Sequence, residues 1–187
     1  MKKLLCAAAL LAVTATPAMA QEYRPYVGVD YQLTRVDYDG VGNENLNGAN
    51  IHVGTRFENN FGVELGYFRT QSKEGSGNIV GIPVDMKGRM QGVTLDGLGY
   101  LPLTDDRKLE LLGTAGVSYN HAKMRATAAG VTESASKNEW GVRIGAGAQY
   151  AITDELNVRG LARYQSADFD DFADGAWVYT LGMNYGF

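Results

Sequence analysis

Eight charged residues and one histidine recur at strand spacing along the chain, and they carry its most evident chemistry. Each lies on the polar side of a segment in which polar and apolar residues alternate. They are Asp30, His52, Arg56, Glu64, Asp96, Glu110, Arg143, Arg159 and Arg163. If this side faces a narrow interior, opposite charges must pair or be hydrated, because an unpaired buried charge is costly. The four carboxylates and four arginines balance, which fits either a narrow ion path or, as we favour, a salt-bridged plug.

Two histidines are the obvious candidates for acid-base catalysis in the chain. His52 belongs to the polar side of its segment, whereas His121 falls with the outward or rim positions and is followed by Ala122 and Lys123. No pair of base and nucleophile occurs at strand spacing, so we expect no enzyme. Histidines on different faces without further ligands nearby also predict neither a metal site nor a cofactor.

The first twenty residues have the three parts of a secretory signal. Lys2 and Lys3 precede an apolar run from Leu4 to Val13, and Ala18-Met19-Ala20 is a small-x-small cleavage site. We therefore predict a signal peptide over 1–20 and a single mature domain over 21–187. Loss of two lysines lowers the formal net charge from −4 to −6, which leaves no basic footprint for nucleic acid. The one cysteine of the chain, Cys6, lies in the signal, so no disulfide is expected.

Eight segments of alternating residues follow and indicate an all-β chain. They span roughly 25–36, 48–57, 61–71, 88–102, 109–123, 138–152, 156–167 and 176–187. Three connections are short and polar, near 58–60, 104–108 and 153–155, whereas those near 37–47, 72–87, 124–137 and 168–175 are long. Short turns at one end and long loops at the other are typical of outer-membrane barrels, with the short turns on the periplasmic side.

Counting residues up from the short turns predicts two levels of charge. Arg56, Glu64, Glu110 and Arg159 fall near one level, and Asp30, Asp96, Arg143 and Arg163 fall near the other.

Glycine and the aromatic residues indicate which face points inward. Glycines share the charged face, where they would make room for long side chains inside a narrow barrel. They are Gly28, Gly54, Gly62, Gly66, Gly116, Gly141, Gly145, Gly147, Gly182 and Gly186. On the apolar face, Trp140 and Tyr150 are ten residues apart, as are Trp177 and Phe187, which is the length a tilted strand needs to cross hydrocarbon. We therefore expect aromatics at both interfaces and a lumen that holds the charges.

The last strand carries the most specific signal. Tyr179, Leu181, Met183, Tyr185 and Phe187 alternate with smaller or polar residues up to the end of the chain. A strand of this kind needs a partner on both sides, which suggests that it closes a barrel against the first strand.

This ending resembles the signal by which bacterial outer-membrane barrels are recognised for insertion. With Phe61-Gly-Val-Glu-Leu-Gly-Tyr67 and Leu98-Gly-Tyr-Leu-Pro-Leu103, it makes the chain similar to OmpA-type and opacity-type barrels. The resemblance implies an eight-stranded antiparallel up-and-down transmembrane β-barrel, preceded by a cleaved signal peptide.

The resemblance also implies a structural or interaction role in the outer membrane of a Gram-negative bacterium, as a porin-family or surface-antigen type of protein. That role would be membrane integrity, adhesion or resistance to stress or a host. The implied partners are outer-membrane lipid and lipopolysaccharide, the barrel-assembly machinery and periplasmic chaperones during biogenesis, and a host or surface ligand at the loops, but no nucleic acid. A small porin-like pore and, less favoured, a lipid A-modifying enzyme remain as alternatives.

Overall fold

A computed structural model describes residues 23–38, 42–57, 60–79, 82–128, 131–166 and 175–187 of the chain. The predicted signal peptide, 1–20, lies outside these residues. Nine strand segments make up the described fold. They are β1 (Arg24–Tyr38), β2 (Gly42–Phe57), β3 (Phe61–Thr70), β4 (Lys73–Ile79), β5 (Ile82–Pro102), β6 (Leu109–Ala128), β7 (Val131–Ala151), β8 (Leu156–Ser166) and β9 (Gly175–Gly186).

The nine segments close into one antiparallel barrel with eight strand positions. β3 and β4 together occupy one strand position, interrupted at Gln71 and Ser72, since both pair with β5. The remaining neighbours are consecutive in sequence, and the last strand pairs with the first, with Val27 opposite Tyr185. The eight-stranded closed barrel expected from the alternation is thus confirmed. None of the described residues forms a helix long and apolar enough to cross a membrane.

The barrel is apolar outside and polar inside. Along β3 the residues alternate strictly between exposed and buried, beginning with exposed Phe61. Leu65 and Ile144 point outward and are 47% and 64% exposed, whereas Glu64 and Arg159 are each 2% exposed. Such an apolar outer band would be costly in water and suits hydrocarbon, so the inverted pattern is that of a membrane barrel.

Several strands are longer than the sequence predicts. β5 and β7 each have 21 residues and β6 has 20, although about ten suffice to cross the hydrocarbon. The expected loop at 124–137 is largely a continuing β6–β7 hairpin, in which Ala128 faces Val131. The expected loop at 72–87 likewise contains the β4–β5 hairpin. In these parts small and polar residues hide the alternation of apolar and polar side chains. Backbone pairing does not depend on that alternation, so the strands continue.

Candidate functional site: the charged lumen

The centre of the lumen is organised by Arg159. Its guanidinium donates to both oxygens of Asp30, at 3.1 and 2.9 Å, and to both oxygens of Glu64, at 2.5 and 3.1 Å. The Tyr26 hydroxyl also donates to Glu64, at 3.0 Å. All four side chains are buried. A bidentate arginine fixes both carboxylates in position, which makes this cluster a rigid cross-brace between β1, β3 and β8.

His52 lies against this brace. One ring nitrogen, Nε2, is 2.7 Å from Oδ1 of Asn184, while Nδ1 lies 3.2 Å from Nη2 of Arg159 and 3.3 Å from Oδ2 of Asp30. These neighbours include no hydroxyl or thiol group. The contacts give His52 a structural part in the network.

A second ion pair lies nearer the short turns. The Arg56 guanidinium donates twice to Glu110, at 2.8 Å each, and the Gln149 amide donates to the same carboxylate at 2.8 Å. Arg56 also stacks over the Tyr100 ring, with 4.2 Å between Cζ and the ring centroid. Since the Arg56 side chain is 21% exposed, this pair is more accessible to water than the central brace.

The pairing in the remaining part of the lumen is looser. Arg143 Nε is 3.2 Å from Asp96 Oδ1, within range of an ion pair but without hydrogen-bond alignment. Arg163 is 3.9 Å from Glu64 and donates a 3.4 Å bond to Thr180, while its Nε and Nη2 have no hydrogen-bond partner. These groups are held mainly by the attraction of opposite charges. Arg143 and Arg163 therefore make fewer hydrogen bonds to carboxylates than Arg159 and Arg56 do.

The division into two charge levels is wrong for Asp30. Asp30 was expected at the level of Asp96 but binds Arg159, whereas Arg163 lies within reach of both levels, 3.9 Å from Glu64 and in charge interaction with Asp96. Arg143 with Asp96 and Arg56 with Glu110 lie together as expected. Counting from the turns fails because strands in a barrel are staggered, so residues at equal counts differ in height.

Glycines separate the members of the buried pairs. Asp30 and Arg159 both face Gly182 in the strand register, and Asp96 and Arg143 both face Gly116. A Cβ at Gly182 would contact Asp30, and one at Gly116 would contact Asp96. The missing side chains therefore let long arginines cross one strand to reach their carboxylates, which is the use that the sequence predicts for lumen glycines.

The sequence analysis did not predict a layer of apolar side chains at positions that alternate with the outward-facing ones. Tyr100, Leu112, Gly147 and Leu161 face one another across β5 to β8, and Tyr100, Leu112 and Leu161 form a buried cluster with Leu98. These side chains face into the barrel, where only polar residues were expected. The even numbers of Leu98 and Leu112, shared with Asp96 and Glu110, were the available signal. The layer leaves no continuous polar lining along this wall.

The predicted interface aromatics point outward in two groups. Trp140 packs on Tyr119, with 5.0 Å between ring centroids, and Trp177 packs edge-on against Tyr164 at 5.6 Å. Phe187 contacts Tyr185 near the opposite end, at 5.5 Å. Tyr150 is also exposed on the outer face. So are the residues of the predicted insertion signal, which are Tyr179, Leu181, Met183, Tyr185 and Phe187.

The turn between β5 and β6 is fixed by a carboxylate outside the barrel wall. The Thr104 side chain, and then the Lys108 backbone N–H at 3.1 Å, donate hydrogen bonds to Asp106 and hold its pKa below the usual 3.8. Arg107 has a left-handed backbone, with φ of 54°. The charged form of Asp106 therefore stabilises a tight turn on the short-turn rim.

His121 lies away from the lumen and forms a 2.5 Å hydrogen bond with Asn138. Within the described ranges, no three His, Cys, Asp or Glu side chains lie close enough together to hold a metal ion.

Comparison with known proteins agrees with this geometry. The family described as "Outer membrane protein beta-barrel domain" matches residues 6–187. Among solved structures, the attachment invasion locus protein Ail of Yersinia pestis is similar with a TM-score of 0.65 and 23% identity, over 89% of this chain and 99% of that one.

Two further structures share the fold at lower identity. Neisserial surface protein A has a TM-score of 0.61 and 14% identity, over 90% of this chain and 100% of that one. The outer membrane protein OprG of Pseudomonas aeruginosa has a TM-score of 0.53 and 15% identity, over 88% and 95%. No significantly similar sequence was found among curated proteins.

Proposed function

This chain belongs to the outer membrane protein beta-barrel domain family, and from that premise we propose that it is a non-conducting, non-catalytic scaffold that presents an interaction surface outside the cell. The observation that carries the proposal is a four-stranded sheet that continues beyond the aromatic residues. It consists of β4, the first half of β5, the second half of β6 and the first half of β7.

The length of this sheet supports a surface role. Trp140 is the tenth residue of β7, which begins at Val131, and Tyr119 is followed by nine more residues of β6. At about 3.3 Å per residue and a tilt of about 45°, nine residues rise roughly 20 Å above the aromatic level. Backbone pairing along that distance makes the sheet stiff, so residues on it are held in fixed positions for a partner.

The lumen supports the absence of conduction. The Arg159 brace crosses the barrel and the layer of Tyr100, Leu112 and Leu161 lines part of its wall. An ion crossing this interior would have to displace paired charges and pass an apolar surface, both of which raise its free energy. We therefore favour the plug over the porin-like pore.

Catalysis receives no support from the histidines. His52 is 3% exposed and hydrogen-bonded to Asn184, and His121 is hydrogen-bonded to Asn138. A lipid A-modifying enzyme would need one of them beside a nucleophile at the outer rim.

The proposed route to the membrane is export directed by residues 1–20, followed by chaperone-assisted delivery to the barrel-assembly machinery, which would read the outer face of β9. Outer-membrane lipid and lipopolysaccharide would then surround the apolar band. A crystal structure of Ail contains the heparin analogue sucrose octasulfate, which favours a polar surface ligand for the projecting sheet by analogy alone.

The orientation is tested by epitope insertion. A tag placed between Ala128 and Val131 should be labelled by antibody on intact cells, because that hairpin would be outside. The same tag placed in the 104–108 turn is the matched control and should be labelled only after the outer membrane is opened. The reverse pattern would refute the proposal.

Conduction is tested in planar bilayers. The refolded protein, shown to be closed by its heat-dependent shift in electrophoretic mobility, should give no steady single-channel current. Reproducible open-channel steps would overturn the plug and restore the pore.

A further inference from the structure

The outward face above the aromatic residues carries an unusual cluster of positive charge. Lys87 stands directly opposite Arg125, and Arg89 stands directly opposite Lys123, in adjacent rows of β5 and β6. Residues that face each other in antiparallel strands have Cβ atoms about 5 Å apart, and like charges there repel. Two such pairs in succession are unfavourable in isolation and favour an anion between them.

The cluster surrounds a groove. Lys87, Arg89, Lys123 and Arg125 line a cavity of about 320 Å³ together with Ser134 and Ser136 of β7. Ser136 faces Lys123 and Ser134 faces Arg125, so each row ends in a hydroxyl. Ammonium, guanidinium and hydroxyl donors converging on a groove of this size fit the oxygens of a phosphate group.

The acidic residues nearest in the strand register belong to the outer part of the cluster. Asp85 lies one row farther out on the same face, and Glu74 stands opposite Lys87 in the register of β4. The two cations nearest the hydrocarbon, Arg89 and Lys123, have neither carboxylate opposite them.

The height of the cluster selects the source of the phosphate. Lys123 lies four residues beyond Tyr119, which packs on Trp140 at the edge of the apolar band. Four residues rise about 13 Å along a strand, or roughly 9 Å along the membrane normal at a tilt of about 45°. Headgroup phosphates lie just outside the hydrocarbon, and the cluster faces sideways toward lipid. We propose that this groove binds a phosphate of the phosphorylated glycolipid in the outer leaflet, the lipid A part of lipopolysaccharide.

This inference rests on the proposed orientation, which places the projecting sheet on the outer-leaflet side. The binding test is independent of it, since lipid affinity can be measured in detergent. A failure of the epitope test would invalidate the orientation, whereas a failure of the binding test would remove only the phosphate site.

The experiment measures binding of hexa-acylated, bis-phosphorylated lipid A to the full mature protein in neutral detergent by native mass spectrometry. The double variant Arg89→Ser, Lys123→Ser removes the two inner cations. Each basic residue near an anionic surface contributes about fivefold in affinity, so the variant should bind roughly 25-fold more weakly. Lipid A stripped of both phosphates should bind the wild type as weakly as the variant binds intact lipid A.

The matched control removes two cations from the opposite rim by Arg107→Asn, Lys108→Ser, where asparagine suits the left-handed backbone. It has the same net charge as the first variant and should bind lipid A like the wild type. The charge-conserving variant Arg89→Lys, Lys123→Arg should also retain binding, and the heat-dependent mobility shift verifies that each protein is folded.

Three results would overturn the proposal. One is an equal loss in the control variant, which would make the effect a general attraction between charges. Another is unchanged binding of dephosphorylated lipid A. The third is a heparin oligosaccharide that binds saturably at Arg89 and Lys123 without displacing lipid A, which would assign the groove to a sulfated glycan.

Discussion

Replacing Arg159 with methionine should strongly destabilise the barrel. The side chain is 1% exposed, and its guanidinium donates four hydrogen bonds, two to Asp30 and two to Glu64. Methionine fills much of the same volume but leaves the two buried carboxylates without the cation that donates to both, and Arg163, 3.9 Å from Glu64, makes no hydrogen bond to it. Removing one partner from a buried ion pair costs about 3–5 kcal/mol, and we expect the free energy of unfolding to fall by this amount.

The cost should come from the orphaned carboxylates and not from lost packing. The triple variant Asp30→Asn, Glu64→Gln, Arg159→Met removes all three charges at nearly constant volume and should recover most of the stability. Arg56→Met is the comparison at a partly exposed site. The Arg56 side chain is 21% exposed, and Gln149 would still donate to Glu110, so a smaller loss of about 1–3 kcal/mol is expected.

Equilibrium unfolding in urea, approached from both the folded and unfolded states in detergent micelles, measures these differences. The fluorescence of Trp140 and Trp177 reports the transition, because both indoles lie on the outer face and leave the apolar phase on unfolding. Neither residue touches the lumen network, so the probe is independent of the substitutions. A wild-type midpoint for Arg159→Met, or a triple variant no more stable than the single one, would refute the brace.

Three smaller predictions concern other parts of the barrel. Gly116→Ala should cost about 1–3 kcal/mol of unfolding free energy in the same assay, because its Cβ would contact Asp96 and the Leu95 carbonyl. Gly113→Ala, on the same strand with nothing within 4 Å of its Cβ, should be neutral, and equal losses would contradict the close approach. Trp140 and Trp177 should be quenched more by lipids brominated or spin-labelled near the headgroup than by those labelled near the chain end; the opposite depth order would refute an interfacial position. Since the folded-state pKa of Asp106 is lowered, its stabilisation of the β5–β6 turn is present above the unfolded value of 3.8 and is lost as the pH falls through the lower folded value. The exchange rate of the Lys108 amide, divided by its intrinsic rate at each pH, should then rise in acid in the wild type, and Asp106→Asn should abolish that pH dependence.

The alternation of residue types was sufficient to determine the faces of every predicted strand. Leu65 and Glu64 are neighbours in sequence, yet one is in contact with the surroundings and the other is buried, as a period of two requires. The same period identified the charged residues of the lumen and the exposed aromatics Trp140 and Trp177. These assignments needed no partner strand, because side-chain direction is a local property of an extended backbone.

Strand ends were less predictable. In the outer parts of β6 and β7, small and polar residues occur on both faces, because neither face meets an apolar phase. Without that contrast a continuing hairpin cannot be distinguished from a loop. Arg125 and Ser134, which pair across the hairpin, both lie in a stretch that the sequence analysis predicted to be a loop. The groove lined by Lys87, Arg89, Lys123 and Arg125 was therefore missed, since its residues come together only when β5 and β6 are paired.

The partners across the lumen were decided by the tertiary structure alone. The alternation placed Asp30, Glu64 and Arg159 on the same face, but the stagger of the closed barrel aligned Asp30 with Gly182 and Gly182 with Arg159. Register is a relation between residues as far apart in sequence as Tyr26 and Gly186, and a composition of balanced charges is compatible with many registers. What the sequence determined by itself was which side chains enter the barrel; only closure of the barrel determined which of them meet.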